Sequence, residues 1–320
     1  MAKVSLMIPA RNEPYLAQTI DDIYQKATGD FEVIVMLDGW KPDEPLKHRD
    51  NLILVYREES KGMRNGLNCM ARLAKGKYLL KLDAHCMFDE GFDETLQQEM
   101  EPDWLVVPSR YRLDVNEWLR GDEAIEYLYV TFPYTHDNLY GSGFHGKKWL
   151  GENGIGSNMG KGQYYWMERA RKHIKIDDIM VIQGSCWFME KEFFNRIDML
   201  DEVHSFFFQE GNELCFKTWM IGGRCVVNKN TWYAHWHKKG SPSYGMSTGQ
   251  KKETQRFSTW VWMNDKWPKA VRNMAWFANS KFYPIPSWPS TWQSYVYPEK
   301  DFRIFDQYGQ DGFKINGCDK

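Results

Sequence analysis

The first hundred residues alternate short apolar runs with segments in which apolar residues recur every three or four positions. The runs at 4–8, 31–37, 52–56 and 77–82 have the length and composition of buried β-strands. Helical spacing follows the first and third runs, with Leu16, Ile20 and Ile23 and then with Met63, Leu67, Met70, Ala71 and Ala74. This alternation predicts an α/β fold in which crossover helices cover a mostly parallel sheet.

Turn and cap residues indicate where these elements begin and end. Pro9 is predicted to stop the first strand, because proline cannot donate a ladder hydrogen bond. Asn12 is predicted to cap the first helix, with Pro14 in its first turn. Asp38 follows the second strand, and Gly39 allows a sharp turn there. The Asp38 side chain is therefore expected at the carboxyl edge of the sheet, where ligands bind in α/β folds.

The second half of the chain is less regular. Closely spaced glycines predict a mobile loop at about 140–163. A buried segment is predicted at about 181–189 and a helix at about 210–220, while a tail rich in Trp and Pro predicts an irregular packed appendage. We therefore predict one domain over 1–265, which divides into parts at 1–100 and 101–265, followed by an appendage at 266–320.

Charge and hydropathy argue against two classes of protein. The formal net charge is only −2, so the molecule as a whole is not a binder of polyanions. No apolar run reaches the roughly 18 residues that a membrane-spanning helix requires. Residues 1–3 lead directly into an apolar strand without a charged leader. From these features we expect a cytoplasmic protein with neither membrane association nor an obligate protein partner.

The strongest chemical signal is the sequence Leu-Asp-Ala-His at 82–85, at the end of the fourth predicted strand. Asp83 and His85 project to one side, because alternate residues of an extended segment share a face. A carboxylate with an imidazole suits a divalent first-row ion such as Mn²⁺, which can bridge two phosphates and neutralise a departing diphosphate. A third ligand is expected from His235 or His237, which also share a face.

Six blocks then occur in a fixed order: Ser5–Glu13, Asp83–Cys86, Gln183–Met189, Glu210–Gly223, His235–Lys238 and Arg256–Asp265. In this order they resemble the motifs of the polypeptide N-acetylgalactosaminyltransferases and, more broadly, of glycosyltransferases with the GT-A fold. The resemblance implies a Rossmann-like GT-A domain with the activity of a hexosyl- or N-acetylhexosaminyltransferase. The donor that it favours is a UDP-sugar. It also implies that 1–100 is the nucleotide-binding half of the domain and 101–265 the sugar and acceptor half.

The resemblance also implies roles for individual residues. The metal ligands are Asp83, His85 and His235, and Lys238 matches a cation that contacts the diphosphate. Glu210 matches an acid beside the donor sugar, and the matching sugar-binding strand contains Gln183 and Gly184. The positions expected to contact the nucleotide are Ala10, Arg11, Glu13, Asp38, Arg64 and Asp83. Trp236 lies between two histidines and is a further candidate, by its position alone, to stack on the sugar.

Departures from the family pattern leave the base and the sugar open. Leu37 stands where the family has the first acid of an Asp-Asp pair, Arg11 replaces a histidine, and Gln183-Gly184-Ser185 replaces Ala-Gly-Gly.

One further departure bears on mechanism. Inverting relatives of the broader fold commonly have Glu-Asp at the position of Glu210 and Gly211, where the second acid deprotonates the acceptor. Because glycine stands there, we expect a retaining mechanism in which the leaving phosphate takes the proton. Glu213, one helical turn after Glu210, is an alternative catalytic base.

The acceptor is predicted from a mixture of cations and aromatic rings at Lys147, Lys148, Lys161, Tyr164, Tyr165, Trp166 and Arg169 to Lys175. This composition can hold single strands or extruded bases. Related transferases in phage genomes glycosylate hydroxymethylated pyrimidines, so modified DNA in a host cytoplasm is the leading acceptor. The alternatives are a cytoplasmic protein or a saccharide or lipid intermediate as the acceptor, a nucleotidyltransferase, and a non-catalytic nucleotide-sugar-binding module.

Overall fold

The computed structural model describes residues 4–133, 143–149, 171–202, 209–238, 248–295 and 297 of the chain. Most of the loop predicted at 140–163 lies outside these residues, as do Lys161, Tyr164, Tyr165, Trp166 and Arg169. The part of the appendage beyond 297 also lies outside them.

The described strands form a ten-stranded sheet and a separate two-stranded sheet. The strands are β1 (Val4–Ala10), β2 (Phe31–Asp38), β3 (Leu52–Arg57), β4 (Tyr78–Leu82), β5 (Cys86–Phe88), β6 (Trp104–Asp114), β7 (Leu119–Arg120), β8 (Leu128–Val130), β9 (Gly146–Lys148), β10 (Ile176–Asp178), β11 (Cys186–Glu190) and β12 (Arg224–His235). The helices are α1 (Leu16–Lys26), α2 (Met63–Leu73), α3 (Phe92–Gln98), α4 (Lys191–Arg196), α5 (Glu210–Met220), α6 (Thr248–Met263) and α7 (Met274–Trp276).

The large sheet has the order β10-β12-β6-β11-β4-β1-β2-β3. Strands β4, β1, β2 and β3 are parallel, as are β6 and β12, whereas β11 runs antiparallel between β4 and β6. The strand β5, which follows β4 in the chain, pairs with the end of β12. The prediction of a mostly parallel α/β sheet is confirmed.

Two apolar clusters cover the opposite faces of this sheet. One contains Leu79 of β4, Trp187 of β11 and buried residues of α2 and α5. The other contains Leu80 and Leu82 of β4 with buried residues of α1 and α3. The alternation along β4 follows from the two-residue period of a strand. Lys81 and Asp83 therefore continue the row that begins at Leu79.

Two predicted element boundaries are wrong at the first crossover. Strand β1 continues through Pro9 to Ala10, because its pairing with β4 ends at Met7 and one side of the strand needs no donor beyond that point. Helix α1 begins only at Leu16 and has no side-chain cap. Asn12 has a φ of 52° and lies in the loop before the helix, as does Pro14.

The later elements agree more closely with their patterns. Helix α5 covers Glu210–Met220, the range that the sequence predicts. In the appendage, α7 is followed by a π-helix at Phe277–Lys281 and a 3₁₀-helix at Trp292–Ser294. Buried side chains of this part, including Trp267, Phe277 and Phe282, belong to the same cluster as α5. The domain boundaries at 100 and 265 stay predictions.

Over the described ranges, no helix has both the length and the apolar character needed to cross a bilayer. The cytoplasmic location expected from the sequence stays a prediction.

Candidate functional site

Three side chains from two distant segments converge at the carboxyl end of β4. Asp83 and His85 lie in the short connection between β4 and β5, and His235 is the last residue of β12. Antiparallel pairing of β5 with β12 sets Cys86 opposite His235. The Nε2 atoms of His85 and His235 are 3.1 Å apart, and His235 Nε2 is 3.1 Å from Asp83 Oδ2. The three ligand atoms lie within 4.8 Å of one another.

The surroundings of His85 fit a metal site. Its Nδ1 atom is 2.9 Å from Glu13 Oε2, which turns Nε2 towards Asp83 and His235. A carboxylate on the outer ring nitrogen is the usual support of a metal-binding histidine. One carboxylate with two imidazoles is a donor set that suits Mn²⁺ and other divalent first-row ions. His237 is exposed, and its ring packs edge-on against that of His235 rather than joining the group.

The charges in the site favour the protonation states that ligands need. Burial lowers the pKa of His235 to about 4, against the opposing effect of Asp83, so the imidazole is neutral at physiological pH. Burial alone would raise the pKa of Asp83, but the Lys81 ammonium and His235 hold it well below its usual range. Asp83 is therefore ionised.

A cavity of about 390 Å³ opens beside the three side chains. Asp83 and His235 line it on one side. The rest of its wall comes from the segment before β11, the first turn of α5 and the residues around β9. The lining residues that bear polar side chains are Lys81, Asp83, His145, Gln183, Ser185, Gln209, Glu210, Asn212 and His235.

Lys81 and Glu210 lie together in the wall of this cavity. The Lys81 ammonium donates to Asp83 Oδ1 at 2.7 Å and lies 3.5 Å from Glu210 Oε2. Trp187 donates through its indole to Glu210 Oε1 at 2.7 Å. Lys81 is not among the residues predicted from the sequence, although a lysine within the apolar run of β4, two residues before Asp83, is a signal that could have revealed it.

Glu13 also connects the site to Lys238. Its Oε1 atom accepts a hydrogen bond from Lys238 Nζ at 2.6 Å, while its Oε2 faces His85. Trp236 packs edge-on against the His85 ring, with 5.7 Å between centroids, and edge-on against Tyr15 at 5.0 Å. It therefore lies between His85 and Tyr15 and is not among the residues that line the cavity.

The remaining predicted residues lie further from the three ligand atoms. Arg11 donates to the carbonyl of Asp38 at 2.9 Å, at the end of β2 next to Ala10 of β1. The Asp38 carboxylate is fully buried and accepts from the Ser60 hydroxyl and from backbone N–H groups of the turn before α2. A nucleoside contact by Asp38 stays a prediction.

Arg64 and Glu213 form a buried ion pair between α2 and α5. Glu213 also accepts from Lys217 Nζ at 2.7 Å and from the backbone N–H of Asp201 at 2.7 Å. Neither Arg64 nor Glu213 is among the residues that line the cavity. Of the two acids that the sequence marks in α5, the structure brings Glu210 to the cavity and Glu213 to the contact with α2.

Comparisons with known proteins agree with this fold. The crystal structure of GalNAc-T7 with UDP, GalNAc and Mn²⁺ superposes with a TM-score of 0.61 over 82% of this chain and 49% of that chain, at 18% sequence identity. The fold is therefore the GT-A fold. The sequence profile described as glycosyl transferase family 2 matches residues 5–198. The chain belongs to that family.

Among relatives, the chain is 25% identical over 289 residues to polypeptide N-acetylgalactosaminyltransferase 5 of Caenorhabditis elegans, covering 83% of this chain and 42% of the relative. It is 28% identical over 286 residues to putative polypeptide N-acetylgalactosaminyltransferase 9 of Drosophila melanogaster, covering 83% of this chain and 40% of the relative. The chain thus spans less than half the length of these relatives. The predicted resemblance to this group of glycosyltransferases is confirmed.

Proposed function

We propose that the chain catalyses metal-dependent transfer of a sugar from a nucleotide diphosphate sugar, with a UDP-sugar as the favoured donor, to an acceptor hydroxyl. The observation that carries the proposal is the convergence of Asp83, His85 and His235 beside a cavity that Asp83, His235 and Glu210 line. A solved structure with the same fold contains UDP, GalNAc and Mn²⁺, which supports this choice of donor and ion.

Asp83, His85 and His235 would hold the ion, and Mn²⁺ is the preferred one. When bound, it supplies a Lewis acid that neutralises charge on a diphosphate leaving group. Glu13 keeps His85 in the orientation that binding requires. Lys238, held by Glu13 at the same edge, is the residue proposed to contact phosphate oxygens.

The donor sugar is proposed to occupy the cavity next to Glu210. Trp187 donates to Oε1 of this carboxylate, and the Lys81 ammonium lies 3.5 Å from Oε2. Other lone pairs of the carboxylate are proposed to accept from sugar hydroxyl groups. Gly184 allows the close approach, because a Cβ atom there would lie 2.5 Å from Glu210 Oε2. Gln183 lines the same wall, and Trp236 is proposed to pack at its edge.

The proposed stereochemical course is retention. A Cβ atom at Gly211 would lie 2.4 Å from the carbonyl oxygen of Ile182, so no acidic side chain fits at this position. Glu213 is fully buried among Arg64, Lys217 and the Asp201 N–H. The acceptor oxygen then bonds to the anomeric carbon from the face that the diphosphate leaves, the bond to the phosphate oxygen breaks, and that oxygen takes the acceptor proton.

The acceptor proposed from the sequence is a hydroxymethylated pyrimidine in DNA. Of the segment that motivates it, the described part includes Lys147 and Lys148 on β9, whose Gly146 lines the cavity. Transfer to such DNA would add the mass of one hexosyl or N-acetylhexosaminyl group to the base. An unchanged mass, together with transfer to a protein or saccharide in the same assay, would contradict this acceptor.

The donor proposal is tested by incubating the protein with Mn²⁺ and a panel of nucleotide sugars while following release of nucleoside diphosphate. Asp83→Ala and His85→Ala are expected to abolish release, because each removes a ligand. Asp21→Ala, which removes a surface carboxylate paired with Lys47 and Arg49, serves as the control and should retain activity. Undiminished release in both ligand variants would refute the metal assignment.

The same assay separates the alternative functions. Pyrophosphate formation would indicate a nucleotidyltransferase. Binding of the nucleotide sugar without any release would indicate a non-catalytic module. The anomeric configuration of the product, read by NMR, decides between retention and inversion.

A further inference from the structure

A charged residue occupies a core position in the middle of the sheet. Lys81 of β4 lies between Met7 of β1 and Trp187 of β11, and both neighbours are fully buried. Only 1% of its own surface is exposed. An ammonium group in such a position is unfavourable unless acceptors and opposite charge compensate it. The identity of its partners therefore indicates why a lysine stands there.

The partners of Lys81 belong to two different parts of the site. Its ammonium donates to Asp83 Oδ1 at 2.7 Å and to the carbonyl oxygen of Gly184, and it lies 3.5 Å from Glu210 Oε2. Asp83 belongs to the proposed metal ligands Asp83, His85 and His235, called the metal group below. Gly184 and Glu210 belong to the part of the cavity wall proposed for the donor sugar. The ammonium group thus donates two hydrogen bonds to protein oxygens and has the Glu210 carboxylate beside it as a second opposite charge.

We propose that Lys81 is a positioning residue that couples the metal site to the donor-sugar site. The inference rests on the proposed function for the roles of Asp83 and Glu210. Because only 1% of Lys81 is exposed and its ammonium is held by Asp83, Gly184 and Glu210, it acts through these residues.

The geometry explains how one cation can position both acids. Lys81 holds Oδ1 of Asp83, so that Oδ2 faces His235 Nε2 at 3.1 Å. It also holds Oε2 of Glu210, while Trp187 holds Oε1. Without the cation, the carboxylates of Asp83 and Glu210 would lie on either side of the vacated space with no positive charge between them. Their repulsion would turn both side chains away from the positions that they hold now.

The chain provides a matched control in α5. Lys217 is also 1% exposed, and its ammonium lies 2.7 Å from Glu213 Oε1 and donates to the carbonyl oxygen of Met199 at 2.8 Å. It thus has the same burial and the same kind of partners as Lys81, but it does not line the cavity. Lys81→Met and Lys217→Met therefore remove similar buried hydrogen bonds and ion pairs from the core. We expect similar decreases in stability from both, and a change in the site from Lys81→Met alone.

The experiment reads the metal site and the sugar site separately. The first readout is the EPR spectrum of Mn²⁺ bound to the protein without nucleotide, which reports the arrangement of the ligand atoms. The second is the ratio of the affinity for UDP-sugar to the affinity for UDP, both with Mn²⁺ present. We expect Lys81→Met to change the spectrum and to lower the ratio by about 10-fold, the size of one lost hydrogen bond between the charged Glu210 and the sugar. Lys217→Met should preserve both.

Each other outcome overturns the coupling. Wild-type values in Lys81→Met would remove any positioning role, and a change in one readout alone would assign Lys81 to a single site. Equal changes in Lys217→Met would assign the effect to general destabilisation. If Lys81→Met does not fold, Lys81→Gln retains a polar group without the charge and is held to the same criteria.

Failure of the proposed function gives a different pattern. A wild-type protein that binds Mn²⁺ but no UDP-sugar would contradict the donor, and the Mn²⁺ spectrum would still decide whether Lys81 orients Asp83. A wild-type protein that binds no Mn²⁺ would overturn both proposals.

Discussion

Glu13 illustrates how a single carboxylate serves two proposed roles in the site. One of its oxygens orients His85 and the other holds Lys238, at 2.9 and 2.6 Å. It is 7% exposed, so water does not replace either contact easily. The resemblance marked Glu13 as a nucleotide contact, and its observed partners add a second role as the support of a metal ligand.

Glu13→Gln is expected to weaken Mn²⁺ binding by about 10- to 100-fold, the range for lost carboxylate support of a ligating histidine. The amide keeps the shape but removes the charge that favours the required tautomer of His85. Titration of free Mn²⁺ by EPR measures the effect. Glu32→Gln is the control. Glu32 is also buried, but it accepts from the Ser5 hydroxyl and from the backbone N–H of Lys75 at the opposite end of the sheet. Equal loss in both variants would contradict the role of Glu13.

At the scale of elements, the position of α5 depends on its second residue. The first turn of this helix lies against residues 182–184, and Gly211 is in contact with the Ile182 carbonyl and the Gly184 N–H group. This contact brings Glu210 to the cavity wall. Glycine costs a helix about 1 kcal/mol relative to alanine, so its presence here is explained by packing rather than by helix propensity.

Gly211→Ala is therefore expected to destabilise the fold by about 1–3 kcal/mol, the usual cost of overpacking, and to lower the affinity for the donor because Glu210 must move. Urea denaturation and donor titration measure the two effects. Gly66→Ala in α2 is the matched control. Its new Cβ atom would meet the flexible Met36 side chain at 3.2 Å, so we expect unchanged or higher stability there. A stable, fully binding Gly211→Ala protein would show that α5 tolerates displacement.

At the scale of the whole molecule, the metal group joins the two halves of the chain. Asp83 and His85 follow β4, whereas His235 ends β12, and the strand pairing of the folded state alone brings them together. The unfolded chain cannot offer this group to an ion. Binding therefore adds to the stability of the native state by mass action.

We expect Mn²⁺ at 100 times its dissociation constant to stabilise the fold by about 2.7 kcal/mol, which raises Tm, and EDTA to reverse the shift. Differential scanning calorimetry with and without the ion is the measurement. His235→Ala should abolish the Mn²⁺ shift because it removes the ligand that comes from β12. A full shift in that variant would mean that the ion stabilises the protein at another site.

Local patterns predicted the regular elements well because their causes are local. The alternating apolar runs placed β1 to β4 and α2, and the range of α5 agrees with its prediction. The predicted start of α1 was wrong, because Asn12 adopts a left-handed conformation in the loop instead of capping the helix. Backbone conformation in such a loop depends on the surrounding fold, which no propensity expresses.

By itself, the sequence determined the α/β fold class, the family, and the pairing of Asp83 with His85, because these depend on periodicity and on residues close together in the chain. The residue spacing left His235 and His237 open and the resemblance favoured His235, which the tertiary structure brings to Asp83 and His85. Only the tertiary structure decided that Glu213 lies in a buried ion pair and that Lys81 joins Asp83 to Glu210. The reason is physical: each of these contacts joins segments far apart in sequence, and their distances are set by strand pairing and helix packing.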